Sequence, residues 1–131
     1  MKLLLDTHIW IWSLLEPGRL TKRVVKALES KQNELWLSPI SVWECLILVE
    51  RGRIILNQDV YDWLSEARRR APMKEALMTT EIAIESRRIK LSHEDPADGF
   101  LAATAKVLDL TLVTSDRRLM KGKGFQILPN R

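Results

Sequence analysis

Residues 2–7 read Lys-Leu-Leu-Leu-Asp-Thr, and this stretch decides the fold. A short apolar run that ends at an aspartate is typical of a strand buried in a parallel sheet. Residues 7–15 follow at once with a helical pattern, which Pro17-Gly18 stops. A buried strand that passes directly into a helix predicts an α/β unit, with Asp6 at the carboxyl end of its strand.

The same alternation of strand and helix continues along the chain. Further strands are predicted at residues 34–37, 111–114 and 126–128. Further helices are predicted from Thr21 to about Ser30, from Ser38-Pro39 to near Gly52, from Asp59 to Arg70, over residues 79–89, from Asp95-Pro96 to about Leu108, and after Asp116. Such an order is typical of a parallel sheet covered on both faces. We therefore predict an α/β fold, a three-layer α/β/α sandwich with a short, mainly parallel central sheet.

Length and composition indicate one globular domain over residues 1–131. Apolar residues make up 46% and charged residues 29% of the chain, which excludes disordered and low-complexity classes. No apolar run approaches the roughly 20 residues of a membrane helix. Asp6 and His8 interrupt the first apolar stretch too early for a signal peptide. The single cysteine, Cys45, cannot form a disulfide within the chain, so we expect a cytoplasmic protein.

The charge balance suits a polyanionic partner without requiring one. The chain has 21 basic and 17 acidic residues, a formal net charge of +4. A solvated, lysine-rich surface explains this charge equally well. If four carboxylates gather in one site, however, the rest of the surface carries about +8 by subtraction.

Four acidic residues stand where strands end or where helices begin. Asp6 follows the first strand, and Asp116 follows the strand at 111–114 after one residue. Glu44 lies one turn into the helix after the second strand, and Asp98 lies in the first turn of the helix at Pro96. Because sites in such folds form beyond the carboxyl ends of the strands, we expect these four carboxylates to converge.

Each acid also has a simple structural explanation as a helix cap. Asp95 is well placed as the N-cap before Pro96, and Asp116 can cap the short helix that follows it. Ser41 and Glu44 have the spacing of a capping box, although Ser38-Pro39 is an earlier and better helix start. Taken singly, capping and function are evenly balanced. Taken jointly, one acidic pocket is the more economical explanation.

An acidic pocket of this kind predicts metal-assisted chemistry on phosphodiesters. Carboxylates without histidine or cysteine partners favour a hard cation, Mg²⁺ or Mn²⁺, and such ions orient water and stabilise charge at phosphorus. Thr7, Thr114 and Ser115 flank the acids and can hydrogen-bond them or a metal-bound water, while local turn bonding explains these residues equally well. The chain contains no glycine-rich phosphate loop with its lysine.

Four stretches in order resemble the successive motifs of PIN domains, and specifically those of the VapC-type toxins of prokaryotic toxin–antitoxin pairs. They are Leu4-Leu5-Asp6-Thr7-His8-Ile9-Trp10, Ile40-Ser41-Val42-Trp43-Glu44, Asp95-Pro96-Ala97-Asp98-Gly99-Phe100-Leu101-Ala102-Ala103-Thr104-Ala105, and Leu112-Val113-Thr114-Ser115-Asp116. The resemblance spans nearly the whole chain.

This resemblance implies a Mg²⁺- or Mn²⁺-dependent endoribonuclease. It places the family's acidic residues at Asp6, Glu44, Asp98 and Asp116, with Asp95 as a companion. It also implies an RNA substrate, a homodimer, and a cognate VapB-type antitoxin that inserts a segment into the groove at the acids. The alternative is a catalytically inert PIN-like module that binds RNA or protein without metal dependence.

Overall fold

A computed structural model describes all residues from 1 to 131. Its strands are β1 (Lys2–Leu5), β2 (Glu34–Leu37), β3 (Lys74–Glu75), β4 (Thr111–Thr114) and β5 (Gln126–Pro129). Its helices are α1 (Thr7–Leu15), α2 (Lys22–Glu29), α3 (Pro39–Glu50), α4 (Val60–Arg70), α5 (Thr80–Arg88), α6 (Pro96–Val107) and α7 (Arg117–Met120). A single turn of 3-10 helix, Pro17–Arg19, joins α1 to α2.

Every strand and helix predicted from the sequence is present, with small differences at the ends. One strand was missed, the two-residue β3. Both of its residues are exposed, and the pair carries neither the apolar run nor the alternation that marks a strand. Its place in the sheet comes from pairing with β2, with Trp36 opposite Lys74 and Leu37 opposite Glu75.

The five strands form one sheet in the order β3-β2-β1-β4-β5, and every pairing is parallel. The chain builds outward from β1 through β2 to β3, and then returns to build β4 and β5 on the other side of β1. The strand order therefore reverses between β1 and β4. In open parallel sheets the carboxyl ends of the strands at such a reversal flank the binding crevice.

Side chains of β1 alternate between two hydrophobic clusters, one on each face of the sheet. Leu3 and Leu5 pack with residues of α1, α2, α3 and α4. Leu4 packs with residues of α6 and α7 on the other face. Helix α5 packs on α6. Because all three leucines are fully buried, this arrangement confirms the three-layer α/β/α sandwich and explains the uninterrupted apolar run.

The helices are short. The longest, α3 and α6, have 12 residues each. None of the helices has the combination of length and apolar character needed to cross a lipid bilayer.

Candidate active site

Neighbouring strands bring Asp6 and Asp116 to the same edge of the sheet. The backbone N–H of Asp6 donates to the carbonyl of Val113 at 2.9 Å, which holds the end of β1 against β4. Asp6 is the N-cap of α1, where its Oδ1 accepts from the N–H of Thr7 at 2.8 Å. Asp116 is the N-cap of α7 and accepts from the N–H of Arg118 at 2.8 Å. Both acids are thus caps, and both lie at the predicted crevice.

Glu44 reaches the site from α3 without any capping duty. The N-cap of α3 is Ser38, whose hydroxyl accepts from the N–H of Ile40 at 3.1 Å, so the capping-box alternative is wrong. Instead, Oε1 of Glu44 accepts from the hydroxyl of Thr7 at 2.6 Å. The same hydroxyl lies 3.0 Å from that of Ser41. Thr7 therefore joins α3 to the start of α1, next to Asp6.

Helix α6 contributes Asp98, and Asp95 caps that helix. Oδ1 of Asp95 accepts from the N–H groups of Ala97 and Asp98 at 3.1 and 3.4 Å, which confirms its predicted place as N-cap. Asp98 is buried, and its Oδ2 lies 2.6 Å from Nε2 of His93. The imidazole is thus a direct neighbour of a candidate catalytic acid.

Thr114 connects two of the acids, whereas Ser115 contacts none of them through its side chain. The buried hydroxyl of Thr114 donates to Oδ2 of Asp6 at 2.7 Å and accepts from the N–H of Asp116 at 3.0 Å. Ser115 is half-buried, and its hydroxyl forms no hydrogen bond within the protein. Any role for Ser115 stays a prediction.

Burial and mutual repulsion raise the pKa values of three of the acids. Burial raises the pKa of Asp6, although hydrogen bonds from Thr114 and Thr7 partly oppose it. Burial raises the pKa of Glu44 to about 7 and that of Asp98 to about 6, and the charge of Asp6 adds to both shifts. These coupled shifts place the acids in one electrostatic cluster. A divalent cation would relieve the repulsion.

Asp116 is the exception, because an arginine neutralises it. Burial alone would raise its pKa, but hydrogen bonds and charge from Arg118 outweigh that effect and lower the pKa of Asp116. The guanidinium binds both carboxylate oxygens, at 3.2 and 2.9 Å, and its Nη2 lies 4.0 Å from Oδ2 of Asp98. Arg118 thus supplies positive charge at the edge of the acidic cluster.

Two residues in contact with the acids, His93 and Arg118, are not among the candidate site residues predicted from the sequence. The signal for Arg118 was its position two residues after an N-cap aspartate, where its side chain can fold back on the cap. His93 carried no such signal, because it sits in the loop before α6 and meets Asp98 only after the chain turns.

The donor set suits a divalent metal ion. Ligand atoms of His93, Asp98 and Asp116 all lie within 4.8 Å of one another. Asp6 and Glu44 add carboxylate oxygens to the same electrostatic cluster. Oxygen-rich sites of this kind fit Mg²⁺ and Mn²⁺, and buried carboxylates with raised pKa values gain most from a cation.

A cavity of about 550 Å³ lies on the same edge of the sheet, but none of the four acids lines it. It opens where β2 ends and α3 begins. Its lining includes apolar residues such as Trp10 and Val42 together with Arg68, Arg69 and Lys74. The titratable side chains interact with one another at the acid cluster, so that cluster is the candidate active site. The cavity is a neighbouring surface.

Comparison with known proteins agrees with this fold. The chain matches the PIN domain over residues 3–124 and belongs to the PIN-domain family. It is 36% identical over 119 residues to a protein named ribonuclease VapC22 from Mycobacterium tuberculosis, with 88% of each chain covered.

Two solved structures share the fold at low sequence identity. One is VapBC2 from Rickettsia felis bound to a DNA fragment from its promoter, with a TM-score of 0.74, 14% identity and 98% of each chain covered. The other is DNA-bound VapBC from Salmonella typhimurium, with a TM-score of 0.69, 17% identity, and 100% of this chain and 99% of that chain covered. At these identities the similarity establishes the fold alone.

Proposed function

We propose that this chain is a metal-dependent endoribonuclease and the toxin component of a type II toxin–antitoxin pair. The observation that carries the proposal is the meeting of Asp6, Glu44, Asp98 and Asp116 at the strand-order reversal, with coupled pKa shifts. The identity to a curated ribonuclease supports RNA as the substrate.

In this proposal the four acids are the catalytic residues and together hold one or two Mg²⁺ or Mn²⁺ ions. When bound, the ion orients a water and stabilises negative charge at the phosphorus. Thr7 and Thr114 hold three of the acids by the hydrogen bonds described above, and Asp95 fixes the start of α6. An ionised carboxylate of the cluster takes the proton of the attacking water. The hydroxyl of Ser115 is a further polar group that can hydrogen-bond the substrate or a water molecule.

We also propose partners for the chain and its state of assembly. The Rickettsia felis and Salmonella typhimurium neighbours are VapBC complexes, which supports a VapB-type antitoxin that covers the acidic site. The same proposal includes a single nuclease domain over residues 1–131, a homodimer and a cytoplasmic location.

The competing hypothesis is a PIN-like module that binds RNA or protein without cleaving it. Such a module has no need of an intact acid cluster. Here all four acids are present, Asp6 and Asp98 are buried, and threonine hydroxyls donate hydrogen bonds to the carboxylates of Glu44 and Asp6. These contacts favour an enzyme.

The deciding experiment is cleavage of a mixed panel of structured and single-stranded RNAs by the purified protein. Each RNA is incubated with Mg²⁺, with Mn²⁺ and with EDTA, using wild type, Asp98→Asn and Asp62→Asn. Asp62 is an exposed acid of α4 whose carboxylate forms no hydrogen bond or ion pair, so it is the matched control. We expect cleavage by wild type and Asp62→Asn that needs metal, and none by Asp98→Asn. RNA binding without metal-dependent cleavage would favour the module.

A further inference from the structure

His93 makes a close and buried contact with Asp98. Its Nε2 lies 2.6 Å from Oδ2 of that acid, and its side chain is only 10% exposed. The residue belongs to the loop between α5 and α6, so this contact also ties the loop to the first turn of α6. A short, buried hydrogen bond of this kind sets the direction of the carboxylate.

The acceptor at Asp98 decides which ring nitrogen donates. An ionised carboxylate can only accept a hydrogen bond. The contact between Nε2 of His93 and Oδ2 of Asp98 is therefore a hydrogen bond in which Nε2–H donates. Nδ1 of His93 is buried and has no hydrogen-bond partner.

This hydrogen bond argues against His93 as a direct metal ligand, although one of its ring nitrogens lies within 4.8 Å of ligand atoms of Asp98 and Asp116. If Nε2 bound the ion, Nδ1 would have to carry the proton. Histidines that bind metal normally donate that second N–H to an acceptor. Nδ1 has no acceptor here, so metal binding by His93 would leave an orphaned donor.

We propose that His93 is a positioning residue, which donates Nε2–H to Oδ2 of Asp98 and so fixes the carboxylate while leaving the other oxygen, Oδ1, available to a metal ion. No hydrogen bond within the protein occupies Oδ1 of Asp98. Arg118 lies 4.0 Å from Oδ2, so both basic side chains lie on the same carboxylate oxygen. This inference rests on the proposed metal-dependent function and names a residue that the four-acid description omits.

The test compares Mn²⁺ binding by wild type, His93→Phe and His93→Gln. Phenylalanine keeps a buried ring but removes the donor, and glutamine keeps an N–H donor on a flexible side chain. Free Mn²⁺ is counted by its electron paramagnetic resonance signal, and circular dichroism of the metal-free proteins checks their folding. We expect His93→Phe to weaken Mn²⁺ binding about 10- to 100-fold, the usual loss when a partner of a metal ligand is removed. We expect His93→Gln to recover most of the affinity.

Pulsed electron paramagnetic resonance on Mn²⁺-loaded wild type gives an independent test that needs no variant. We expect no signal from a directly bound imidazole nitrogen. Such a signal, wild-type affinity in His93→Phe, or equal weakening in both variants would each overturn the positioning role. Failure of wild type itself to bind Mn²⁺ would instead contradict the proposed metal site, so the two failures are distinguishable.

Discussion

Single residues of the candidate site combine a place in the fold with a place in the acidic cluster. Asp6 and Asp116 are the N-caps of α1 and α7, and both also belong to that cluster. The hydroxyls of Thr7 and Thr114 then connect residues that lie far apart in the chain. Capping and an acidic pocket were competing explanations for these acids, and the geometry at Asp6 and Asp116 is compatible with both.

The raised pKa values predict that the metal-free protein loses stability as pH rises. Glu44 has an ordinary pKa of 4.5 and a folded-state pKa of about 7, mainly because of burial. Between these values the unfolded chain loses its proton while the folded protein keeps it, so the free energy of unfolding falls with rising pH. Asp98, whose folded-state pKa is about 6, acts in the same direction.

Urea unfolding in EDTA from pH 4.5 to pH 8 measures this effect. Glu44 contributes a decrease of about 1 to 2 kcal/mol after solvent screening is allowed for. The control is Glu44→Gln, which has no titrating group at that position. A slope in Glu44→Gln as steep as that of wild type would contradict the assignment.

The contact between Arg118 and Asp116 predicts that the pKa of Asp116 depends on the arginine. We expect Arg118→Ala to raise the pKa of Asp116, because the guanidinium that holds that pKa down is removed. Stability should change little, since the arginine is exposed. Carboxyl carbon NMR titration of the metal-free protein measures the pKa. Arg117→Ala, also exposed and on α7 but without an ion pair, should leave the pKa unchanged, and a shift of equal size there would refute the argument.

At the scale of the elements, helix starts place the candidate catalytic side chains. Ser38-Pro39 starts α3 early enough that Glu44 falls more than one turn into the helix, free of capping. Asp95-Pro96 starts α6 so that Asp98 falls in its first turn. The cap and proline therefore determine which acids face the crevice, and this could be predicted because caps and prolines act locally.

Variants of Asp95 test whether this residue stabilises α6 through its capping oxygen or through its charge. Asp95→Ala should lower the free energy of unfolding by about 1 kcal/mol, because two N–H groups lose their acceptor. Asp95→Ser keeps a capping oxygen without the charge and should restore stability. Thermal unfolding in EDTA compares the three proteins. If serine were as destabilising as alanine, the carboxylate charge would matter more than the cap.

At the scale of the whole molecule, acidic and basic side chains occupy different parts of the sheet edge that holds the site. The acids gather beyond β1 and β4, while exposed Arg68 and Arg69 line the cavity where β2 ends. Their position on the same sheet edge as the acids makes these arginines candidates to contact RNA phosphates.

The double variant Arg68→Ala, Arg69→Ala tests this surface. In an Asp98→Asn background, which prevents cleavage, we expect several-fold weaker RNA binding and a salt dependence reduced by about one to two phosphate contacts. Fluorescence anisotropy at several salt concentrations measures both quantities. The control is Lys31→Ala, an exposed lysine before β2 at the opposite edge of the sheet. Equal effects of the two changes would indicate only a general loss of charge.

The amino-acid sequence by itself determined the order of strands and helices along the chain, and it placed Asp6, Glu44, Asp98 and Asp116 beside strand ends and helix starts. These features depend on neighbours within a few residues, such as apolar runs, caps and prolines, so they can be read locally. Only the tertiary structure decided the strand order, the pairing of β3, the raised pKa values, and the contacts of His93 and Arg118 with the acids. Those features arise from packing between distant segments, because burial and hydrogen-bond partners exist only once the sheet and its helices have come together.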